Sequence, residues 1–348
     1  MKKNLAVIGY GGQGAWHCKQ ALSSDVVNLV GIYDIREIRR EAAKKDGIFV
    51  YDSNEALIND EKVDIVVIAI PNDDHAQWVI KALEAGKNVI CEKPVEMSVA
   101  SVDKMIEASN KTGKLFTVHH NRRWDVDFLA MKQLADSGEI GKIINIESRV
   151  HGSRGIPIDW RGEKEHGGGM VLDWGIHLID QMLQIFKQKI VRIFCTCSHI
   201  TNNEVDDGFK LELFFEDGAS CHIELGTYNF IAMPRFYMQA KDGSALITDW
   251  QHPAHVAKLT RWIEKDVTPV QNAAGITKTM APRDSLTLDE YDLEIPKSDV
   301  HDFYRNFCLA MDGKEEQLVK HHEIRRVMQV VEACFLSDEK GQALEVNI

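Results

Sequence analysis

Three short stretches of this chain carry side chains suited to moving a hydride and a proton. The first is Glu92-Lys93-Pro94, directly after the apolar run Asn88–Cys91. A lysine at a strand end can donate a hydrogen bond to a substrate hydroxyl and stabilise negative charge on that oxygen. The ordinary alternative, a surface ion pair, fits poorly with a Lys-Pro step outside any helix face. The tight turn implied there suits a cis Lys93–Pro94 bond. The second stretch is Asp173-Trp174-Gly175-Ile176-His177, where a spacing of four puts the acid and the imidazole on one helix face. Histidine is the side chain best suited to accept a hydroxyl proton near neutral pH. A carboxylate beside it would favour the imidazolium or bind a second hydroxyl. Such pairs are more often local helix contacts, so spacing alone leaves a catalytic role open. Asp173, His177 and a strand histidine could also ligate a metal. No H-E-x-x-H or cysteine cluster supports that, and no metal is expected.

The third stretch, Gly9-Tyr10-Gly11-Gly12-Gln13-Gly14, fits G-x-G-x-x-G. That pattern alone is weak. Here it follows a strand pattern, opens a helical one, and is followed by an acid, Asp34, 20 residues after Gly14 at the end of the next strand. In that context Gly9, Gly11, Gly12 and Gly14 form a turn whose backbone N–H groups meet a pyrophosphate at a helix N-terminus. Asp34 is placed to accept hydrogen bonds from an adenosine ribose diol, which favours NAD. Arg36, two residues on, could pair with a 2′-phosphate and keeps NADP open.

The elements that must position these groups come in two patterns. Over the first 120 residues, apolar runs such as Ile65-Val66-Val67-Ile68-Ala69-Ile70 alternate with helical stretches, as a parallel sheet covered on both faces requires. This is an α/β reading: an N-terminal Rossmann-type, doubly wound parallel sheet over residues 1–122. Ligands bind at the carboxyl ends of such strands. Those ends carry Ile70-Pro71-Asn72 with His75 just beyond, Glu92-Lys93-Pro94, and His119-His120-Asn121-Arg122-Arg123. Residues 123–348 read as an α+β domain with an open, mostly antiparallel sheet, since Asp217-Gly218 and Asp242-Gly243 separate apolar runs as hairpin turns do. A helix over 170–186 carries Asp173 and His177, and Gly167-Gly168-Gly169 ahead of it would let a ligand approach closely. Trp124, Trp160 and Arg161 fall on loops that could cover a sugar ring, although scattered tryptophans are as often packing. His321-His322 reads as a solvated helix start. Residues 253–295 carry no clear pattern.

Composition narrows the partners. The chain has 348 residues and a net charge of -12, which disfavours nucleic acid as a partner because that affinity comes from clustered Lys and Arg. No apolar run approaches the roughly 20 residues needed to span a bilayer, and the short run after Met1-Lys2-Lys3 is too brief for a signal segment. A cytoplasmic location is the expectation. Seven scattered cysteines without a C-x-x-C support neither a disulfide framework nor a zinc knuckle.

Taken in order, these motifs resemble the Gfo/Idh/MocA family, named for glucose–fructose oxidoreductase and inositol dehydrogenase. The resemblance rests on Gly9/Gly11/Gly14, Pro71-Asn72 with His75, Ala85-Gly86-Lys87 leading into Glu92-Lys93-Pro94, Asn121-Arg122-Arg123, and Gly168-Gly169 with Asp173, His177 and Asp180. It implies NAD(P)-dependent oxidation or reduction of a secondary hydroxyl on a sugar, cyclic polyol or glycoside. Lys93, Asp173 and His177 would be the catalytic set, with His177 as acid/base. Pro71, Asn72, His75, Glu92 and Lys93 would line the cofactor, and Arg123, Trp160, Arg161, Asp173 and His177 the substrate. It further implies a homodimer or homotetramer assembled through the second sheet. Two other functions fit the same motifs: a glycosidase that oxidises transiently with no net redox change, and a non-catalytic NAD-binding regulator.

Overall fold

The computed structural model describes residues 2–260, 268–283 and 285–348. The first half runs β1 (Lys3–Ile8), α1 (Gly12–Ser23), β2 (Val27–Tyr33), α2 (Glu37–Lys45), α3 (Asn54–Asn59), β3 (Ile65–Ile68), α4 (His75–Glu84), β4 (Asn88–Cys91), α5 (Val99–Thr112) and β5 (Phe116–Val118). The five strands pair in parallel in the order β2-β1-β3-β4-β5. Every residue from Leu5 to Ile8 and from Ile65 to Ile68 is buried, the pattern of strands sandwiched between two helical layers. The strand order reverses between β1 and β3, and the crevice beyond their carboxyl ends is where such a sheet takes a ligand.

The second half contributes α6 (Val126–Ser137), β6 (Ile143–His151), α7 (Ile176–Ile185), β7 (Ile190–Ser198), β8 (Gly208–Phe215), β9 (Ser220–Gly226), β10 (Phe236–Ala240), β11 (Gly243–Ile247), β12 (His255–Leu259), β13 (Val270–Asn272), β14 (Gly275–Thr277) and β15 (Leu288–Asp292). It closes with α8 (Asp302–Met311), α9 (His321–Lys340) and β16 (Leu344–Glu345). Nine of these strands form one sheet, β15-β12-β11-β10-β6-β9-β8-β7-β16, antiparallel except between β6 and β9. Burial alternates along β9, so one face is packed and the other is not. In the stretch left without a pattern, β12 and β15 pair at the sheet edge and β13 with β14 make a small hairpin; residues 261–267 and 284 lie outside the described residues.

The long helix α9 joins the halves. Its Arg325 pairs with Asp103 on α5 at 2.7 Å, while Ser337 Oγ accepts a hydrogen bond from the Cys195 amide of β7 at 2.9 Å. His321 is not simply solvated: its ring packs beside Phe116, with Nε2 3.0 Å from the Phe116 carbonyl oxygen.

Candidate active site

The glycine turn follows directly from β1. Gly9 has φ +96°, and a Cβ there would lie 2.2 Å from the Ala69 carbonyl oxygen beyond β3. A Cβ on Gly14 would lie 2.1 Å from the Gly9 carbonyl oxygen. These two glycines close the turn. Gly11 and Gly12 differ, since a Cβ on either meets open space, and the first turn of α1 has no side-chain cap. Uncapped N–H groups facing open space at a helix start fit a pyrophosphate. Asp34 is buried at the end of β2, where its carboxylate accepts hydrogen bonds from the Tyr10 amide at 2.7 Å and the Arg36 amide at 2.8 Å. The Arg36 guanidinium stands exposed beside it, 3.9 Å away. The residues present therefore fit a dinucleotide.

The next strand ends form a buried polar frame. His75 lies between two turns, Nδ1 2.9 Å from the Pro94 carbonyl oxygen and Nε2 2.9 Å from that of Ile70. Its ring holds the turns together and leaves no nitrogen for a ligand. Asn72 donates from Nδ2 to the Gly167 carbonyl oxygen at 3.1 Å, tying the Pro71 turn to the second half. Glu92 is equally occupied. Its Oε1 lies 2.8 Å from both His17 Nε2 and His119 Nδ1, and its Oε2 accepts the Lys93 amide at 3.1 Å. Tyr304 of α8 completes the chain at 2.6 Å from His17 Nδ1. Burial opposes the charge on Glu92, but the two imidazoles outweigh it and hold the carboxyl well below its usual range. His17, Glu92 and His119 are close enough to hold a metal ion. They are held to one another by hydrogen bonds, with Tyr304 as the terminal donor, and within this group only His119 Nε2 is left without a partner among the described residues. The Lys93–Pro94 bond is cis.

This frame delivers Lys93 to the second half. Its ammonium donates to Asp173 Oδ1 and to the Asp173 carbonyl oxygen, each at 2.9 Å. Asp173 sits on a π-helical turn, Val171–Gly175, that precedes α7, where a continuous α-helix is expected from the sequence. Such turns widen the spacing of side chains and recur at functional sites. Asp173 consequently pairs with Lys93 and, at 3.3 Å, with Arg161 Nε rather than with His177. Burial opposes its ionisation, and the two cations prevail, holding it below the usual carboxylate range. His177 is buried one turn on. Burial, reinforced by the charges of Lys93 and Arg122, drives its pKa well below the ordinary histidine value, so the imidazole is neutral, opposite to what a neighbouring carboxylate would have produced. Among the described residues, none hydrogen-bonds its ring. A free neutral imidazole beside an ammonium can take a proton from a hydroxyl whose oxygen the ammonium holds.

Residues 3–120 match the GFO_IDH_MocA model, an oxidoreductase family with an NAD-binding Rossmann fold, and residues 128–246 match the GFO/IDH/MocA C-terminal domain. The chain belongs to this family. An NAD-binding protein from Listeria innocua superposes with a TM-score of 0.95 at 40% identity, covering 99% of both chains. A myo-inositol 2-dehydrogenase from Thermotoga maritima is 33% identical over 224 residues, 62% of this chain and 66% of that one. A scyllo-inositol 2-dehydrogenase (NADP(+)) from Bacillus subtilis is 29% identical over 244 residues, 69% of this chain and 67% of that one. The chain spans between about half and two thirds of the length of the curated relatives it matches. No helix among the described residues is long and apolar enough to cross a membrane.

A cleft of about 670 Å³ opens beside Asp173, lined among others by Arg122, Arg154, Trp174 and Trp250. Four features differ from the expectations for this GFO/IDH/MocA chain. Arg123 is not brought to the cleft: it is buried in a two-point ion pair with Asp180 (2.8 and 2.6 Å) and also reaches Glu323 at 2.9 Å. Trp124 packs edge-on against Phe303. Gly168 and Gly169 make room for protein, because added Cβ atoms would meet the Arg161 carbonyl oxygen at 2.4 Å and the Asp206 carboxylate at 2.3 Å. Arg122, the neighbour of the expected Arg123, is the one at the cleft, its guanidinium 3.9 Å above the Trp174 ring. Trp160 lies nearby under the Arg161 guanidinium, 4.6 Å from it. Sequence reasoning gave Trp174, inside the Asp173–His177 motif, and Trp250, just ahead of the unpatterned stretch, no role.

Proposed function

We propose that this protein is an NAD-dependent dehydrogenase acting on a secondary hydroxyl of a sugar, cyclic polyol or related compound. The observation that carries this reading is the 2.9 Å contact between Lys93 and Asp173, which joins the cofactor-side strand end to the helix bearing a neutral, unpaired His177, buried with its ring 6.1 Å from that of cleft-lining Trp174. Gly9, Gly11, Gly12, Gly14 and Asp34 would hold the dinucleotide, with Pro71, Asn72 and the Lys93 turn along its nicotinamide end. When bound, the nicotinamide supplies the two-electron hydride acceptor for the carbinol carbon. Lys93 donates a hydrogen bond to the hydroxyl oxygen, His177 accepts the hydroxyl proton, and Asp173 with Arg161 orients Lys93 and offers acceptors to a neighbouring hydroxyl. The products are the ketone, the reduced cofactor and protonated His177, which releases its proton to solvent. The reverse direction uses the same groups.

Asp34 supports NAD over NADP, because a 2′-phosphate would meet a buried carboxylate. The myo-inositol and scyllo-inositol dehydrogenases among its relatives support a polyol or sugar substrate. We further infer a homo-oligomer through the less buried face of the nine-stranded sheet; light scattering giving a monomer mass would end that idea. The reading itself is tested by NADH formation across a panel of cyclic polyols and sugars with NAD. Turnover that persists at full rate in His177→Ala would refute the role given to the imidazole.

A further inference from the structure

We propose that the substrate is a sugar acid, its carboxylate taken by Arg154 at the mouth of the cleft; this deepens the dehydrogenase reading and rests on the same site. The argument is one of charge pairing. Arg122 is paired with Asp125 at 2.9 Å, and Arg161 with Asp159 at 2.9 Å and Asp173 at 3.3 Å. Lys93 is paired with Asp173. Arg154 lines the same cleft, is exposed, and among the described residues makes no hydrogen bond or ion pair. Among the described residues Asp173 is the only carboxylate lining the cleft, and two cations already face it. One cation is therefore left over, in a protein whose net charge is -12.

The rest of the lining says what accompanies the anion. Trp250 stands in the cleft wall with 46% of its surface exposed, its ring 4.9 Å from the buried Arg235 guanidinium. Aromatic faces of this kind accept the C–H face of a pyranose or cyclohexane ring. Ring stacked on tryptophan and carboxylate on guanidinium together describe a uronate or a comparable ring acid. A phosphate ester fits less well. It carries close to two charges and three acceptor oxygens, whereas the cleft offers one unpaired cation. The amides of Gly152 and Gly155 beside Arg154 are already donated to Gly226 and Thr227 carbonyl oxygens, so they cannot form an anion nest.

The test is a binding comparison on the NADH-loaded protein, followed by the fluorescence of its tryptophans and by calorimetry. The probes are glucose, galactose and mannose, each against its uronate and its 6-phosphate. For at least one pair the uronate should bind roughly tenfold tighter than the neutral sugar, the size of one charge-assisted hydrogen bond at a partly exposed site. That preference should vanish in Arg154→Gln, return in Arg154→Lys, and shrink with added salt. Equal binding of acid and neutral sugar, no saturable binding of any acid, a preference untouched by Arg154→Gln, or a phosphate that outbinds every uronate would each overturn the proposal. Turnover with NAD is scored separately. Acid binding that depends on Arg154 without NADH formation would sink the dehydrogenase reading alone, while brisk oxidation of neutral sugars with no acid preference would sink only this one.

Discussion

The two walls of the active site are built differently. On the cofactor side, Glu92, His17, His119, Tyr304 and His75 are buried and bonded to one another or to backbone, so Lys93 is held by groups that water does not reach. On the substrate side, Arg154 and Trp250, far apart in the chain, line the cleft, Arg161 reaches Asp173, and all three stand at least partly in solvent. A wall made of buried polar groups bonded to one another tolerates little change, because removing one partner leaves another unsatisfied. A wall of exposed cations and rings can be re-lined at small cost to folding. On the proposed reading, the contrast separates what would make the chemistry from what would choose the substrate.

That contrast can be broken by measurement. The largest effect should follow loss of Lys93 or His177: Lys93→Ala and His177→Ala should each lower kcat by about 10²–10⁴ with the fold retained, read by steady-state kinetics and circular dichroism. Next comes Arg123→Ala, which should cost about 3–5 kcal/mol of stability because it strands Asp180 in the interior. Denaturant unfolding measures this, and a large rise in substrate KM with normal stability would return Arg123 to the cleft.

Acid should act on both function and folding. His177 works as a base only when neutral, and its lowered pKa puts the acidic limb of kcat/KM below pH 6.5; a limb at 7 or above would contradict the assignment. His120 is buried and pushed down to about 4 by that burial, so the unfolded chain binds its proton first as pH falls from 6.5. Stability is therefore full above pH 6.5 and declines toward pH 4, by up to about 3 kcal/mol for this one group. The smallest effect belongs to the ribose corner. Asp34→Ser should raise kcat/KM with NADP relative to NAD by about tenfold, since Arg36 remains to meet the added phosphate.

The same contrast accounts for which features the sequence alone carries. The Gly9–Gly14 turn, Glu92-Lys93-Pro94 and Asp173/His177 are local motifs, because each works through its own backbone turn or helix face, and the parallel sheet shows itself in unbroken apolar runs. The partners of those motifs were not legible. Nothing in the spacing says that Tyr304 reaches His17, that a π-helical turn steers Asp173 toward Lys93, or that Arg122 and not Arg123 faces the cleft. The edge strand β15 and its neighbour β12 lack an apolar signature because both bury little.

The hydroxyl that Tyr304 lends to His17 has a consequence for how this enzyme could be recombined. A chimera that imported only the first 122 residues from a relative would bring a histidine whose own tyrosine was left behind at the far end of the donor. The transferable unit is discontinuous: the dinucleotide-holding segment travels intact only together with α8 and α9, and grafts cut at the obvious junction should refold poorly even between sequences that match closely on either side of it.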